Sequence, residues 1–273
     1  MAGVRRVAAV GGFALASAVF DAAAVTPRRL RVPDVPLSLT GWPAALDGMR
    51  VAVLSDLHAG SPWVGLPRVR AVVDRVVAAR PDLVLLLGDY LADVAFGSHL
   101  EPEPLARVLA GLTAAGAPAV AVLGNHDWYA GGRRVRQALE AAGLPVLEES
   151  AISVLGSRLW IAGVGDLWER SPSVPAALTG IPAGAPVLLL THNPDVIADV
   201  PDSVSLVLAG HTHGGQVRVL GRGVHRVSER SGNRWSRGWY PQERLYITSG
   251  IGSSIVPLRT VAPEVPILVL SPV

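Results

Sequence analysis

The chain of 273 residues contains no cysteine, which excludes disulfide frameworks, thiol nucleophiles and zinc held by thiolates. Lysine is absent too: all 24 basic residues are arginine, against 22 acidic ones. A net charge of +2 says little about nucleic acid, and no specific nucleic-acid partner is expected. Charged residues are few, 17% against 50% hydrophobic, which excludes disordered and low-complexity classes and implies a full core. Apolar runs long enough to span a bilayer without interruption are also missing, since a span needs about 20 residues. The longest candidate, Val7 to Phe20, follows Arg5 and Arg6, breaks at Asp21, and resumes before Pro27, Arg28 and Arg29. Its length suits the core of a signal peptide, and with residues 21–25 it approaches an anchor. Residues 1–25 are therefore expected to form a membrane anchor or signal-like segment, with a helix packed on the domain as the alternative. Arginines on both sides leave the sidedness open.

What is present divides the remainder. Residues 26–48 carry Pro27, Pro33, Pro36 and Pro43 and read as a linker or edge strand, leading to a domain over 49–273. From Met49, apolar runs of strand length alternate with helical periodicity: strands over 51–54, 83–87 and 119–123, helices over 66–79 and 104–115. The second half is richer in strands, expected over 152–154, 159–162, 187–190, 204–208, 216–219, 245–248 and 267–270. This pattern predicts an α/β fold of two packed mixed sheets flanked by helices.

Polar residues interrupt the pattern in an ordered way. Five strands each end in a segment holding Asp, Asn or His: Asp56-Leu57-His58, Gly88-Asp89, Gly124-Asn125-His126-Asp127, Thr191-His192, and Gly210-His211-Thr212-His213. Five of the seven histidines fall there. Strand ends are where α/β proteins assemble sites. A donor set of carboxylate, amide and imidazole suits manganese, iron, zinc or magnesium. Too many donors are present for one ion, and two ions sharing a carboxylate would activate water against a phosphate ester. In an extended segment, Asp56 and His58, like His211 and His213, would point to one side.

These segments, in this order, resemble the calcineurin-like metallophosphoesterase superfamily over about residues 49–273. The run His211-Thr212-His213-Gly214-Gly215-Gln216, with Thr248 to Gly252, Pro257 to Arg259 and Pro263-Glu264, further resembles a bacterial membrane-associated branch. The resemblance implies a four-layer αββα sandwich and two divalent ions, manganese being the expected choice in vitro. It also implies that Asp56, His58 and His213 hold one ion, that Asn125, His192 and His211 hold the other, and that Asp89 bridges them. His126, left off the metals, is then the general acid, with Asp127 orienting its ring or raising its pKa. A metal-bridging hydroxide would attack phosphorus. Protein phosphatases of the superfamily carry Arg and Gly after the bridging Asp, where this chain has Tyr90 to Val94, so a protein substrate is not expected.

The expected activity is hydrolysis of a phosphodiester, pyrophosphate or phospholipid-like ester at a membrane. A soluble nucleotidase or nuclease is the alternative, and a binding module without catalysis is disfavoured because no ligand position is lost. Trp63, Trp128, Trp168, Trp235 and Trp239 lie in loops near the motifs and are candidates to frame an apolar entrance, whereas Trp160 reads as core. Arginines at 218, 222, 226, 230, 234 and 237 form a basic band suited to anionic substrate, lipid head groups or plain solvent. His99 and His225 are given no role.

Overall fold

A computed structural model describes residues 12–92, 97–114, 116–224 and 234–273. His225, Arg226 and Arg230 lie outside the described residues, as does the start of the N-terminal apolar run.

Two sheets form the centre. The first has the order β1 (Asp34–Leu39), β13 (Ile267–Pro272), β2 (Met49–Leu54), β3 (Leu83–Leu86) and β4 (Ala119–Ala121). The second runs β11 (Gly238–Tyr240), β12 (Leu245–Ile247), β8 (Leu206–Ala209), β7 (Val187–Leu190), β6 (Leu159–Gly163) and β5 (Ser150–Val154). Both are mixed, with β13 antiparallel to β2 and the pairs β5–β6 and β11–β12 antiparallel. A two-stranded hairpin, β9 (Arg218–Val219) and β10 (Arg222–Gly223), stands apart.

Alternation along each strand builds the layers. In β2, Val51 and Val53 face the second sheet and pack with Leu188, Leu190, Leu206 and Leu208, while Ala52 and Leu54 face helices. Both faces are buried, which is why these strands read as continuous apolar runs. Over the first sheet lie α2 (Leu66–Ala78), α3 (Pro102–Leu109) and α5 (Gly132–Ala141). Helix α2 buries Val69, Val72, Val73 and Val76, a stripe at the helical period that outweighs the modest helix propensity of valine. The second sheet is covered by α6 (Val174–Ala177) and a short 3₁₀ turn at Pro194–Asp199. The result is a four-layer α/β/β/α sandwich.

The N-terminal segment joins this body directly. Residues 12–20 form helix α1, which passes into a π-turn at Asp21–Val25. Arg259 N donates to Ala22 O at 2.8 Å, Trp63 Nε1 to Ala23 O at 2.9 Å, and Arg75 to Leu30 O at 2.8 Å. β1 then pairs with β13 in parallel register, so residues 26–48 belong to the sandwich and do not hold α1 at a distance from it. Among the described residues no helix is long and apolar enough to cross a membrane.

Candidate metal centre

Strands β2, β3 and β4 run parallel, as do β6, β7, β8 and β12, so their C-terminal ends collect at one edge of the sandwich. The five polar segments converge there. Asp56, His58, Asp89, Asn125, His192, His211 and His213 are all buried.

Their route into the cleft differs from strand alternation. Asp56, His58, Asp89, His211 and His213 have φ of 51°, 41°, 57°, 67° and 52°. Each stands in the left-handed region, uncommon for residues other than Gly and least costly for Asn, Asp and His, so the turn itself aims the donor. Close backbone approach makes room: a Cβ placed on Gly124 would overlap Asp89 Oδ1. Behind Asp56, its carbonyl accepts from Ile251 N at 3.2 Å and Gly252 N at 2.6 Å. The buried Arg259 guanidinium fastens that loop, donating to the carbonyls of Ser249, Gly252 and Val261, and Glu264 accepts from Ser249 N at 2.9 Å. The Arg259 and Glu264 motifs thus brace the wall behind Asp56.

The donor atoms form two groups. His213 Nε2 lies 3.3 Å from Asp56 Oδ1 and 3.1 Å from His58 Nε2, which is 3.5 Å from Asp89 Oδ2. His192 Nε2 lies 3.2 Å from the same Asp89 Oδ2 and 3.2 Å from His211 Nδ1. Donors about 2.1 Å from one ion stand about 3.0–3.4 Å apart in octahedral or tetrahedral order; four of these edges lie in that range, and the fifth, His58 Nε2 to Asp89 Oδ2, is 3.5 Å. Facing imidazole nitrogens such as His58 Nε2 and His213 Nε2 share a proton poorly but suit a common cation. Asn125 Oδ1 is buried without a partner. His192 Nδ1 sits 2.7 Å from Leu87 O, a bond in which Nδ1–H donates, so that the neutral ring offers its Nε2 lone pair to a cation. The residues present therefore fit a pair of divalent ions.

Electrostatics agree with that fit at four of the ligands, whereas at His192 the surrounding carboxylates, Asp89 foremost, outweigh burial and raise the imidazole. Burial raises the carboxyl of Asp89, yet His192, His58 and His126 outweigh it and hold the group well below the usual range. Asp56 is held down in the same way, chiefly by His213 against burial. Burial, with neighbouring histidines, pushes His58 and His211 down to about 3, keeping both neutral as ligands must be.

Residues 49–215 match the calcineurin-like phosphoesterase family. The chain belongs to that family. As a calcineurin-like phosphoesterase it is a metal-dependent hydrolase of ester bonds, and its buried Asp and His clusters are consistent with a binuclear divalent centre. It is 34% identical over 233 residues to "Phosphodiesterase YaeI" of Escherichia coli (strain K12), covering 81% of this chain and 82% of that protein. It is 30% identical over 256 residues to "Transmembrane protein with metallophosphoesterase domain" of Danio rerio, covering 84% of this chain but 54% of the relative, so it spans about half that length. A Bacillus subtilis (strain 168) metallophosphoesterase, YkuE, is 27% identical over 255 residues, with 89% and 86% covered.

Two features of this phosphoesterase differ from expectation or escaped it. Asp127, expected to orient His126, turns away: its oxygens accept from Asp89 N and Tyr90 N at 2.8 Å and Gly124 N at 2.9 Å. A carboxylate surrounded by backbone donors ties the β3 and β4 loops together, and His126 Nδ1 is left buried without a partner. His126 itself is placed by its backbone N, which donates to Asp89 Oδ1 at 2.9 Å. Asp166 was missed. It follows β6, is fully buried, caps the next turn through Trp168 N at 2.8 Å and Glu169 N at 3.0 Å, and keeps Oδ2 unpartnered. Burial raises its pKa, with His192 opposing. Its signal was a sixth strand end in Gly165-Asp166, which carries no histidine.

The tryptophans divide. Trp168 is 43% exposed and meets the His211 ring edge-on at 4.4 Å, Trp63 is 45% exposed, and Trp128 lies under Arg170 at 4.7 Å. Trp235 is buried and Trp239 packs on the inter-sheet core, so neither frames an entrance. Partly buried Trp160 packs against the core beneath the second sheet. His99 is a surface partner of Glu101 at 2.9 Å.

Proposed function

We propose that this chain is a two-metal phosphodiesterase working at a membrane surface, on a phosphodiester, pyrophosphate or phospholipid-like ester. Asp56, His58 and His213 hold one ion, Asn125, His192 and His211 the other, and Asp89 bridges them. The observation that carries this reading is the single atom Asp89 Oδ2, which faces both His58 and His192. Manganese suits the oxygen and imidazole donors and is the ion proposed for assay. The name of the Escherichia coli relative supports a diester substrate.

Two divalent ions held by these residues would supply Lewis acidity, acidifying water and offsetting charge on phosphoryl oxygens. Asp89 Oδ1 accepts the His126 N–H, which orients its other oxygen toward the ligands. His126 stands half-buried at the cleft edge, its ring 4.8 Å from His58 and 5.4 Å from Tyr129, and delivers a proton to the departing oxygen. The Asn125 amide oxygen, buried and without a partner, is left for the site.

Helix α1 supports the membrane assignment. Residues 12–20 are exposed on every face although they are apolar or small, and a helix apolar all round needs a non-aqueous neighbour. The test is a panel of a soluble diester, a lipid pyrophosphate, a nucleotide monoester and a phospholipid, offered to manganese-loaded protein. Diesters or lipid substrates turned over best support the proposal; preference for the nucleotide monoester would favour the soluble nucleotidase.

A further inference from the structure

Ten of the thirteen exposed large apolar side chains among the described residues lie on segments that are bonded to one another. Phe13, Leu15, Val19 and Phe20 stand on α1; Val219, Leu220 and Val224 on the β9–β10 hairpin; Ile255 and Val256 on the loop fastened by Arg259; and Trp63 after the first ligand turn. Arg259 N reaches Ala22 O at 2.8 Å, Gln216 Nε2 reaches the carbonyls of Ser254 and Val256 at 2.9 Å each, and Trp63 Nε1 reaches Ala23 O at 2.9 Å. One continuous rim results. Between the hairpin and the loop opens a pocket of about 230 Å³, lined by Val217, Val224, Ile255 and Val256, with His213 in its wall.

Local physics does not explain the residues on this rim. Leu220 and Gly221, at φ 49° and 79°, form a two-residue hairpin turn that favours Asn-Gly, yet a leucine 98% exposed occupies the first place. Ile255 is β-branched at φ 61°, and Trp63 stands at φ 74°. Leu220 and Ile255 are thus held outward in the left-handed region, strained and wet, which is favourable only if something apolar receives them. Charge identifies the receiver. Residues 210–224 and 249–263 contain no acid, while Arg218 and Arg222 flank the hairpin tip and Arg28 lies over Trp63 at 3.6 Å. Apolar tips among arginines match the boundary between lipid head groups and chains.

We propose that this rim seats on an anionic bilayer and that the pocket beside His213 takes an acyl chain of the lipid phosphodiester being cleaved. The inference rests on the proposed diesterase reading and assigns its substrate: a membrane lipid presented from the side of α1. Its test uses Leu220→Asn with Ile255→Asn, changes that relax the backbone, so the protein folds with a melting temperature no lower than before. Binding to vesicles of equal phosphatidylglycerol and phosphatidylcholine should fall about fivefold or more, since two inserted side chains are lost. Val273→Asp, at an exposed apolar site off the rim, should leave vesicle binding unchanged. In competition against bis(p-nitrophenyl) phosphate, dioleoyl phosphatidylglycerol should inhibit about tenfold or more better than its deacylated form, because only the former has a chain for the pocket. Unchanged vesicle binding in the double variant, equal loss in Val273→Asp, or equal inhibition by the deacylated form would overturn the proposal. Failure of the unmodified protein to hydrolyse the soluble diester would instead count against the diesterase reading, and vesicle binding reads the rim independently of it.

Discussion

Asp127 separates two accounts of how this centre is built, because its carboxylate can serve either the backbone or the general acid. Its oxygens accept from the N–H groups of Asp89, Tyr90 and Gly124, all within 2.9 Å and all buried. Replacing it with alanine leaves three donors without an acceptor, at about 1–3 kcal/mol each. Part of that is returned, because burial and the charge of Asp89 already push the Asp127 carboxyl up to about 7. Taking the low end, Asp127→Ala should cost about 3 kcal/mol, and Asp127→Asn, which keeps one oxygen, about half as much. For a chain of this size that is a fall in melting temperature of roughly 6–12 °C for alanine and about half that for asparagine. Thermal unfolding at fixed manganese concentration measures it, and hydrolysis of activated and unactivated diesters by the same samples measures the rest. A strut predicts rate losses that are equal for good and poor leaving groups. Unchanged melting with a loss confined to poor leaving groups would refute this reasoning and return Asp127 to His126.

Other expectations follow from the same geometry. His126→Ala should keep two ions per chain by elemental analysis and lose about 10²- to 10⁴-fold in rate, most with leaving groups that need a proton. Gly124→Ala puts a Cβ into Asp89 Oδ1, so manganese affinity measured by titration should drop about tenfold or more although no ligand is changed. Removal of residues 1–20 should leave the melting temperature nearly unchanged, whereas removal of 1–39 also strips β1 from β13 and the Ala22 and Leu30 carbonyls from their donors, and should unfold the protein at lower temperature by circular dichroism.

Much of this architecture is legible in the chain because buried parallel strands leave plain traces. Val187 to Leu190 and Leu83 to Leu86 are unbroken apolar runs, and the polar residues after them mark where the chain leaves the core. What stays hidden depends on contacts distant in sequence. β1, in a segment that reads as either linker or edge strand, takes the edge-strand form despite Pro36, and the partner that decides it, β13, lies more than 200 residues away. The short α4 (Asn125–Tyr129) begins inside a ligand motif, where hydrogen bonds to Asp127 determine the turn. Helix α5 opens with Gly132 against the Trp128 ring, a packing demand that composition does not reveal. In the centre the donor types were readable but their aim was not: period-two alternation suggested how Asp56 and His58 share a side, and left-handed turns do it instead. Asp127 shows the same limit, since a carboxylate next to a histidine in sequence serves backbone groups 36 to 38 residues away.

The bridging role of Asp89 Oδ2 is tested most directly by anomalous diffraction from crystals of the manganese-loaded protein. Two peaks about 3.5–4 Å apart, on either side of Asp89 and both absent in Asp89→Ala, are the predicted result. A single peak, or two ions of which one keeps full occupancy without the Asp89 carboxylate, would contradict the shared centre.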